Sequence, residues 1–274
     1  MNQTSTIFKY RDWTNPDHVD ILKHKRIYLP SPEKLNDPFD CRITVNLDML
    51  DDEMKIKQYV SNYVITNLRR FQASKFPIEK FIPAMENDLK NHLTEYAKRF
   101  TDLYKQKGNL HFGIFCASTI WDNIQMWTYY SQNHTGFCIG FDLNRLLDFI
   151  PKFRSAKVMY SKEYPKIDPL ITYNPNNISG DFIENCFKSS HSKAIGWKYE
   201  KEYRIFSNIF PEKYNNKKRL IQLDSKCFKS LYVGLDFPSK ELPIITNLAN
   251  KLNVPIYKIC LIPNKFKLGK TRII

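Results

Sequence analysis

Two short segments are apolar at almost every position, and they constrain the fold more than any other feature of the chain. They are HFGIFCAS, at 111–118, and GFCIGFD, at 136–142. Apolar runs of this length are typical of buried β-strands, because a half-exposed strand would alternate polar and apolar side chains. The segment between them, 122–131, predicts a helix. The sequence therefore predicts a sheet with helices packed against it.

The rest of the chain repeats this mixture of short strands and helices. Further strands are predicted at 7–11, 26–30, 220–224, 230–237, 256–262 and 266–274, and further helices at 17–25, 143–150, 181–191 and from Ser239 to about 252. No internal repeat or clean linker interrupts the pattern. We therefore expect an α+β fold in a single domain over residues 1–274.

One region, about 45–108, has a different pattern of apolar residues from the rest of the chain. Apolar residues recur there with helical spacing in two runs, over 56–71 and over 85–103. Pro77 and Pro83 separate the runs, and proline normally breaks a helix. The pattern predicts a helical hairpin inserted into the α+β body.

Composition limits the class of protein and its partners. Hydrophobic residues make up 42% of the chain, which indicates a globular protein, and the formal net charge of +14 favours polyanionic partners such as nucleic acid. The amino terminus resembles no secretory signal, and no apolar run approaches membrane-spanning length. We expect a cytoplasmic protein with no membrane association.

Metal binding is not predicted from the cysteines. The six cysteines lie far apart, with no CxxC pair and no histidine at ligand spacing. Several fall within the apolar strands, where a thiol behaves as a small hydrophobic group.

The segment GWKYEKEYRI places two glutamates two residues apart in an aromatic setting. If 197–206 is one strand, Glu200 and Glu202 point to the same face, with their Cβ atoms roughly 6.5–7 Å apart. Lys198 and Arg204 share that face and would keep both acids ionised. A solvent-exposed ladder of ion pairs is one interpretation. The other is an acidic pair in a cleft, where one carboxylate stabilises a developing positive charge and the other orients or deprotonates a nucleophile.

Four stretches together resemble a bacterial family of uncharacterised domains. They are FKYR, LNDPFD, the block FCAS…MWTYYSQNHTGFCIGFD, and WKYEKEYRI. Their layout also resembles the ADP-ribosyltransferase fold, including the toxins that modify DNA or RNA. The resemblance implies a split, mostly antiparallel sheet that carries the helical insertion.

The resemblance also implies roles for particular residues. An early strand of that fold offers an arginine or histidine, which corresponds here to Arg11, beside Tyr10. Either Arg11 bonds the ribose or phosphates of NAD, or Tyr10 stacks on the dinucleotide. A late strand offers a glutamate, often in an E-x-E pattern, which corresponds to Glu200 and Glu202, with Glu202 as the catalytic glutamate.

A middle strand of that fold offers a serine or tyrosine. Ser118 and Thr119 in FCAST occupy this slot, although Tyr129 or Tyr130 is an alternative. Trp127 or Tyr130 would stack on nicotinamide or on a target base.

The function that the resemblance implies is NAD-dependent ADP-ribosyl transfer to nucleic acid, RNA or DNA, with NAD as substrate. The closest analogy is a toxin that modifies mRNA in a toxin–antitoxin or anti-phage defence system, with an antitoxin protein as possible partner. The basic segments 213–219 and 265–272 are candidate contacts to phosphates, since lysine and arginine supply most non-specific affinity for nucleic acid.

Two other functions remain open on the residues alone. One is a metal-dependent nuclease that uses Glu200 and Glu202 with Asp37 or Asp40, although LNDPFD is also typical of a turn. The other is a non-catalytic protein that binds nucleic acid.

Overall fold

The computed structural model describes residues 6–42, 46–165, 180–209 and 212–273. The strands are β1 (Thr6–Arg11), β2 (Arg26–Tyr28), β3 (Phe112–Ser118), β4 (Phe137–Asp142), β5 (Phe153–Lys157), β6 (Met159–Ser161), β7 (Ser192–Ala194), β8 (Glu202–Asn208), β9 (Leu220–Gln222), β10 (Phe228–Val233), β11 (Ile256–Leu261) and β12 (Leu268–Arg272). The helices are α1 (Pro16–His24), α2 (Glu53–Thr66), α3 (Leu68–Ser74), α4 (Ile78–Asn91), α5 (Leu93–His111), α6 (Ile124–Tyr130), α7 (Leu143–Leu147), α8 (Gly180–Ser190) and α9 (Leu242–Leu252).

One large, mostly antiparallel sheet organises the molecule. It has eight strands in the order β12-β11-β10-β4-β1-β3-β8-β5, and only the β10–β11 pair among them is parallel. Two small two-stranded sheets, β2-β9 and β6-β7, lie beside it. The predicted α+β class and the mostly antiparallel sheet are confirmed.

Two neighbouring strands at the centre of the large sheet, β1 and β3, pair over a very short stretch. β1 pairs with β4 along its whole length, from Thr6 opposite Asp142 to Arg11 opposite Phe137. Against β3, by contrast, β1 is paired only at Phe8, opposite Ser118. The two central strands diverge beyond this point, and a cleft opens between them.

Apolar side chains cover both faces of the sheet. On one face, Phe137, Ile139 and Phe141 of β4 belong to the main core, together with buried residues of α1 and α9. On the other face, an aromatic cluster includes Trp127 of α6 and Tyr232 of β10. The sheet is therefore buried on both sides near its centre, as the two continuous apolar segments predict.

The region between β2 and β3 contains the predicted helices, but they divide differently. Four helices, α2 to α5, follow one another over 53–111, and α2 packs on α4 through a core that includes Tyr59 and Leu89. Pro83 does not separate two helices, because it lies inside α4. It sits in the second turn, where a proline costs one backbone hydrogen bond to the turn before it. Within the described residues, no helix is both long enough and apolar enough to cross a bilayer.

A tight loop after α6 fixes the end of β4 against the end of β10. Gln132, Asn133 and His134 all have positive φ, a conformation that ordinary residues adopt at some energetic cost. Gly234 packs directly on this loop, since a Cβ added to it would lie 1.9 Å from the carbonyl oxygen of His134. This contact leaves no room for any side chain at position 234.

The substitution Gly234→Ala is therefore expected to destabilise the fold by about 1–3 kcal/mol, because backbone rather than a movable side chain must shift. The matched control is Gly196→Ala, where an added Cβ would meet nothing within 4 Å. Urea unfolding followed by circular dichroism measures both. Equal midpoints for the two variants would contradict the prediction.

Candidate active site

The two glutamates of the sequence pattern lie close together, but not on one strand. The prediction of a continuous strand over 197–206 is wrong, because Ile195–Glu200 forms a 3₁₀ helix and β8 begins only at Glu202. Lys201 between them has φ 47°, and this left-handed residue redirects the chain. Both glutamates are nonetheless buried and line the same cavity.

Hydrogen bonds from β3 and the segment after it hold this turn. The Ser118 hydroxyl donates to the carbonyl of Glu200 at 2.7 Å. The backbone N–H and the hydroxyl of Thr119 both donate to the carbonyl of Lys201, at 2.9 and 3.0 Å. Ser118 lines the cavity, whereas Thr119 does not. The hydroxyls of these two predicted site residues thus orient the glutamate turn.

Arg204 holds Glu202 in place. The Arg204 side chain is fully buried and donates to Glu202 from Nε at 2.6 Å and from Nη2 at 3.0 Å. It also donates to both carboxylate oxygens of Asp40 and, at 2.6 Å, to the carbonyl of Ser190. A bidentate arginine restricts a carboxylate in direction as well as distance. The Glu202 carboxylate is therefore a fixed anion.

Lys193 on β7 joins the two glutamates. Its ammonium group donates to Glu200 at 2.6 Å and to Glu202 at 3.2 Å, and it lies 4.7 Å from the centre of the Trp197 ring. From the sequence, Lys198 is predicted to keep both glutamates ionised, but its side chain is exposed. No local spacing points to Lys193, because its position depends on the pairing of β6 with β7.

The two carboxylates differ in acidity. Burial would raise the pKa of Glu202, but Arg204 and Lys193 outweigh it and hold this pKa well below its usual range. Burial raises the pKa of Glu200 above its ordinary value, and Lys193 opposes that rise only in part. The Tyr130 hydroxyl donates to Glu200, and both burial and this bond raise the pKa of Tyr130. Glu202 is thus the more acidic of the two carboxylates, because Arg204 bonds to it and not to Glu200.

Two cations lie on the opposite wall of the cleft, on β1. Burial and the nearby Arg11 lower the pKa of Lys9 to about 7, and burial lowers the pKa of Arg11 to about 10. The Nε of Arg11 is buried without a hydrogen-bond partner, and among the described residues no carboxylate forms an ion pair with either cation. The Lys9 ammonium donates to the carbonyl of Cys116. Arg11 therefore carries an unpaired positive charge at neutral pH, whereas Lys9 is only partly protonated and is influenced by Glu200 and Glu202.

A single cavity of about 710 Å³ contains both walls. Its lining includes Lys9, Arg11, Glu200, Glu202 and Ser118. The volume lies within the range of ordinary ligand sites, about 300–1,000 Å³. The place where β1 and β3 diverge is thus large enough to bind a substantial small molecule.

The predicted aromatic residues occupy different surroundings. Tyr10 lines the cavity, and its hydroxyl donates to the carbonyl of Ile120 at 2.9 Å. Tyr130 also lines the cavity, whereas Tyr129 is 67% exposed outside it. Trp127 is fully buried beneath Tyr10, with ring centres 5.2 Å apart, so the structure places it in the core.

The LNDPFD segment contributes more than a turn. Asp37 accepts from the backbone N–H of Phe39 at 2.9 Å, as a turn residue does, while Asp40 joins Arg204. The Asn36 amide donates to the Tyr130 hydroxyl at 2.9 Å. Within the described part of the chain, no group of three or more His, Cys, Asp or Glu side chains is arranged to hold a metal ion.

Comparison with known proteins gives one family match. Residues 126–205 match the model of a protein family of unknown function, DUF2971, in agreement with the resemblance to an uncharacterised family. The match runs from within α6 to within β8 and includes Lys193, both glutamates and Arg204. No curated protein and no solved structure matches the chain. The matched segment supplies most of the acidic wall of the cavity.

Replacing the buried Arg204 should strongly reduce the stability of the fold. Arg204→Met leaves two buried carboxylates without their partner, and we expect a loss of about 3–5 kcal/mol of stability. The matched control is Arg154→Met, which removes an ion pair with Glu184 whose side chains are 44% and 45% exposed. That change should cost less than about 1 kcal/mol. Chemical unfolding at pH 7 compares them, and similar losses would contradict the buried network.

The two glutamates should affect the pH dependence of stability in opposite directions. A lowered folded-state pKa stabilises above the unfolded value of about 4.3 and loses that effect as pH falls. Replacing Glu202 with Gln should therefore shrink the drop in unfolding free energy between pH 7 and pH 3, by about 1–2 kcal/mol. A raised pKa destabilises as pH rises, so Glu200→Gln should enlarge the same drop. Urea titrations at both pH values test this, and equal drops would contradict it.

Proposed function

We propose that the protein is an NAD-dependent ADP-ribosyltransferase that modifies nucleic acid. One observation carries the proposal: a single cavity joins two basic side chains, which form no ion pair among the described residues, to a carboxylate that Arg204 and Lys193 hold ionised, with a second carboxylate of raised pKa beside it. In a bound dinucleotide, the phosphates would contact Lys9 and Arg11, and a ribose would contact Glu200 and Glu202. The steps below follow from these residues.

Lys9 and Arg11 would bind the pyrophosphate of NAD. Burial lowers the pKa of both side chains, and Glu200 and Glu202 offset this only in part for Lys9, so a bound anion would favour the charged form of both. The Arg11 Nε, which is buried and unpartnered, would gain a hydrogen bond. A guanidinium also suits phosphate geometry because it presents donors in a fixed fork. Binding energy is thus available on this wall without any change of the fold.

Glu202 would stabilise the reacting ribose. When the bond between nicotinamide nitrogen and ribose C1′ breaks, the electron pair leaves with the nicotinamide, and positive charge develops at the ribose. A fixed anion lowers the energy of that transition state because it needs no reorganisation. Arg204 and Lys193 hold the Glu202 carboxylate ionised and immobile. This preorganisation suits a stabilising role better than a proton-transfer role.

Glu200 would accept the proton of the acceptor. As a nucleophilic atom of the acceptor bonds to C1′, its proton passes to the Glu200 carboxylate, and neutral nicotinamide is the leaving product. A base works best when its pKa lies near the operating pH, and the raised pKa of Glu200 moves it in that direction. The hydrogen bond from Tyr130 orients this carboxylate. Among the alternatives for the middle slot, Tyr130 is thus favoured over Ser118, whose hydroxyl is committed to backbone.

The divergence of β1 from β3 supports the resemblance in fold. A split central sheet with a ligand cleft is what the ADP-ribosyltransferase resemblance implies, and here the two strands share only the Phe8–Ser118 pair. The +14 net charge supports nucleic acid as the acceptor. The nuclease alternative is less well supported, because both carboxylate oxygens of Asp40 and of Glu202 accept from Arg204, and no group of three His, Cys, Asp or Glu side chains among the described residues is arranged to hold a metal ion.

The decisive experiment incubates the protein with ³²P-labelled NAD and separate pools of RNA, DNA and protein. We expect label in a nucleic-acid pool, and a fall of about 10²–10³-fold in its rate for Glu202→Gln, because a preorganised electrostatic interaction is lost. The control is Glu79→Gln on α4, an exposed glutamate, which should label at the wild-type rate. Arg11→Gln should raise the KM for NAD.

Two outcomes would contradict the proposal. Label in no pool, with chelator-sensitive cleavage of nucleic acid instead, would favour a nuclease. Full transfer by Glu202→Gln would remove the catalytic assignment. The toxin or defence role stays a prediction of the resemblance, and comparing bacterial growth on expression of wild type and Glu202→Gln would test it.

A further inference from the structure

The carboxyl-terminal end of the chain carries a one-sided charge. Residues 242–274 contain six basic residues and no acidic one. Five of them lie on the basic hairpin, which we define as β11, β12 and the 262–267 turn: Lys258, Lys265, Lys267, Lys270 and Arg272. All five side chains are exposed, and among the described residues none of them forms an ion pair. The hairpin therefore presents uncompensated positive charge to solvent.

The other basic segment, 213–219, is different in kind. Arg219 is buried and donates to three backbone carbonyls, those of Leu29, Phe112 and Asn109. Lys218 forms an ion pair with Glu212. Two of the four basic side chains of this segment are thus engaged within the protein, and of the two sequence candidates the basic hairpin has more exposed basic side chains without an ion pair.

Aromatic rings lie beside the charge. Trp121 stacks on Tyr232 with ring centres 5.5 Å apart, and Tyr232 stacks on Tyr257 at 5.2 Å. The Lys270 ammonium lies over all three rings, at 4.8, 4.9 and 4.3 Å from their centres. Trp121 and Tyr257 remain partly exposed at the two ends of this row. A cation is therefore held next to two partly exposed aromatic rings.

The turn of the hairpin adds an unusual exposed ring. Phe266 lies between Lys265 and Lys267, and its side chain is fully exposed. An isolated exposed phenylalanine needs no explanation by itself, but here cations flank it on both sides. The combination of a free ring and neighbouring cations matches the alternation of bases and phosphates along a nucleic-acid strand.

We infer that the basic hairpin and the Trp121–Tyr232–Tyr257 row form a docking surface for single-stranded nucleic acid. Phe266 stacks on a base, and Lys265, Lys267 and Arg272 bind phosphates. Only the purpose of this docking rests on the proposed function: the surface would bring the acceptor to the cleft. Binding itself does not require NAD.

The geometry connects this surface to the acidic wall. Loop 119–123 runs from β3 to α6, and Thr119 and the Asn123 amide bond to the backbone of Lys201 and Tyr199 at the glutamate turn. Trp121, in the middle of the same loop, begins the aromatic row. The aromatic row therefore begins on the same loop that bonds to the glutamate turn.

Single strands are favoured over duplex because unpaired bases expose their faces to stacking, whereas paired bases do not. An anionic membrane would satisfy the lysines equally well. It would not require an aromatic row on a sheet face with a cation fixed over it. The experiment therefore includes both competitors.

Fluorescence anisotropy with the full chain and no NAD tests the inference. The probes are a labelled single-stranded RNA of mixed sequence, the same sequence as DNA, a DNA duplex, and vesicles of phosphatidylcholine with phosphatidylserine. Lys265→Gln/Lys267→Gln should weaken single-strand binding and reduce the salt-dependence slope by about 0.7 for each phosphate that is no longer neutralised. Phe266→Ala should weaken it roughly tenfold without changing the slope, and should leave duplex binding unaffected.

A matched control repeats the changes on the helical insertion. Lys75→Gln/Lys80→Gln removes two exposed lysines, and Phe76→Ala removes an exposed phenylalanine that follows a lysine, as Phe266 does. These variants lose the same net charge or the same ring. They should bind single strands as the wild type does.

The outcomes separate the two proposals. Wild-type affinity in the hairpin variants, or equal losses in the control variants, overturns the docking surface even if label is transferred from NAD. Loss of vesicle binding without loss of single-strand binding also overturns it. Selective loss of single-strand binding supports it even if no label is transferred, in which case the proposed activity fails alone.

Discussion

The buried guanidinium of Arg204 is the interaction on which the rest of the site depends. It joins β8 to Asp40 before the helical insertion and to the carbonyl of Ser190 at the end of α8. A buried arginine is tolerated only with near-complete hydrogen bonding. The Glu202 carboxylate is one of its required partners, so the fold fixes this group as part of its own stability. Lys193 then extends the same network to Glu200.

This arrangement divides charge unequally between the two walls of the cleft. The acidic wall pairs its charges internally, since Arg204 and Lys193 lie between the three carboxylates of Asp40, Glu200 and Glu202. The β1 wall has no such pairs, since among the described residues neither Lys9 nor Arg11 forms an ion pair, and Glu200 and Glu202 act on Lys9 only at longer range. Basic side chains that line a cavity without an ion-pair partner suit a ligand that supplies the opposite charge. The contrast between the walls therefore supports an anionic ligand more strongly than either wall does alone.

The sequence predicts those parts of the structure that depend on neighbouring residues. The buried strands at 111–118 and 136–142 and most helices lie where periodicity and capping residues place them; the helix that follows Asp142 ends at Leu147, earlier than the pattern predicts. The prediction that Pro83 separates two helices also used only local sequence. It is wrong because the packing of α4 against α2 and α5 outweighs one absent hydrogen bond. Long-range pairings are not accessible in this way: nothing near LNDPFD indicates that Asp40 meets an arginine 164 residues away.

The glutamate turn illustrates why a site can be anticipated without its geometry. Alternation along a strand would place both acids on one side, and a 3₁₀ helix followed by a left-handed lysine does so by another route. The backbone takes that route because Ser118, Thr119 and Asn123 bond to the carbonyls of residues 199–201. These donors belong to β3 and to the loop that carries Trp121. The same loop therefore orients the acidic pair and anchors the aromatic row, so a partner bound to that row contacts the element that positions the glutamates.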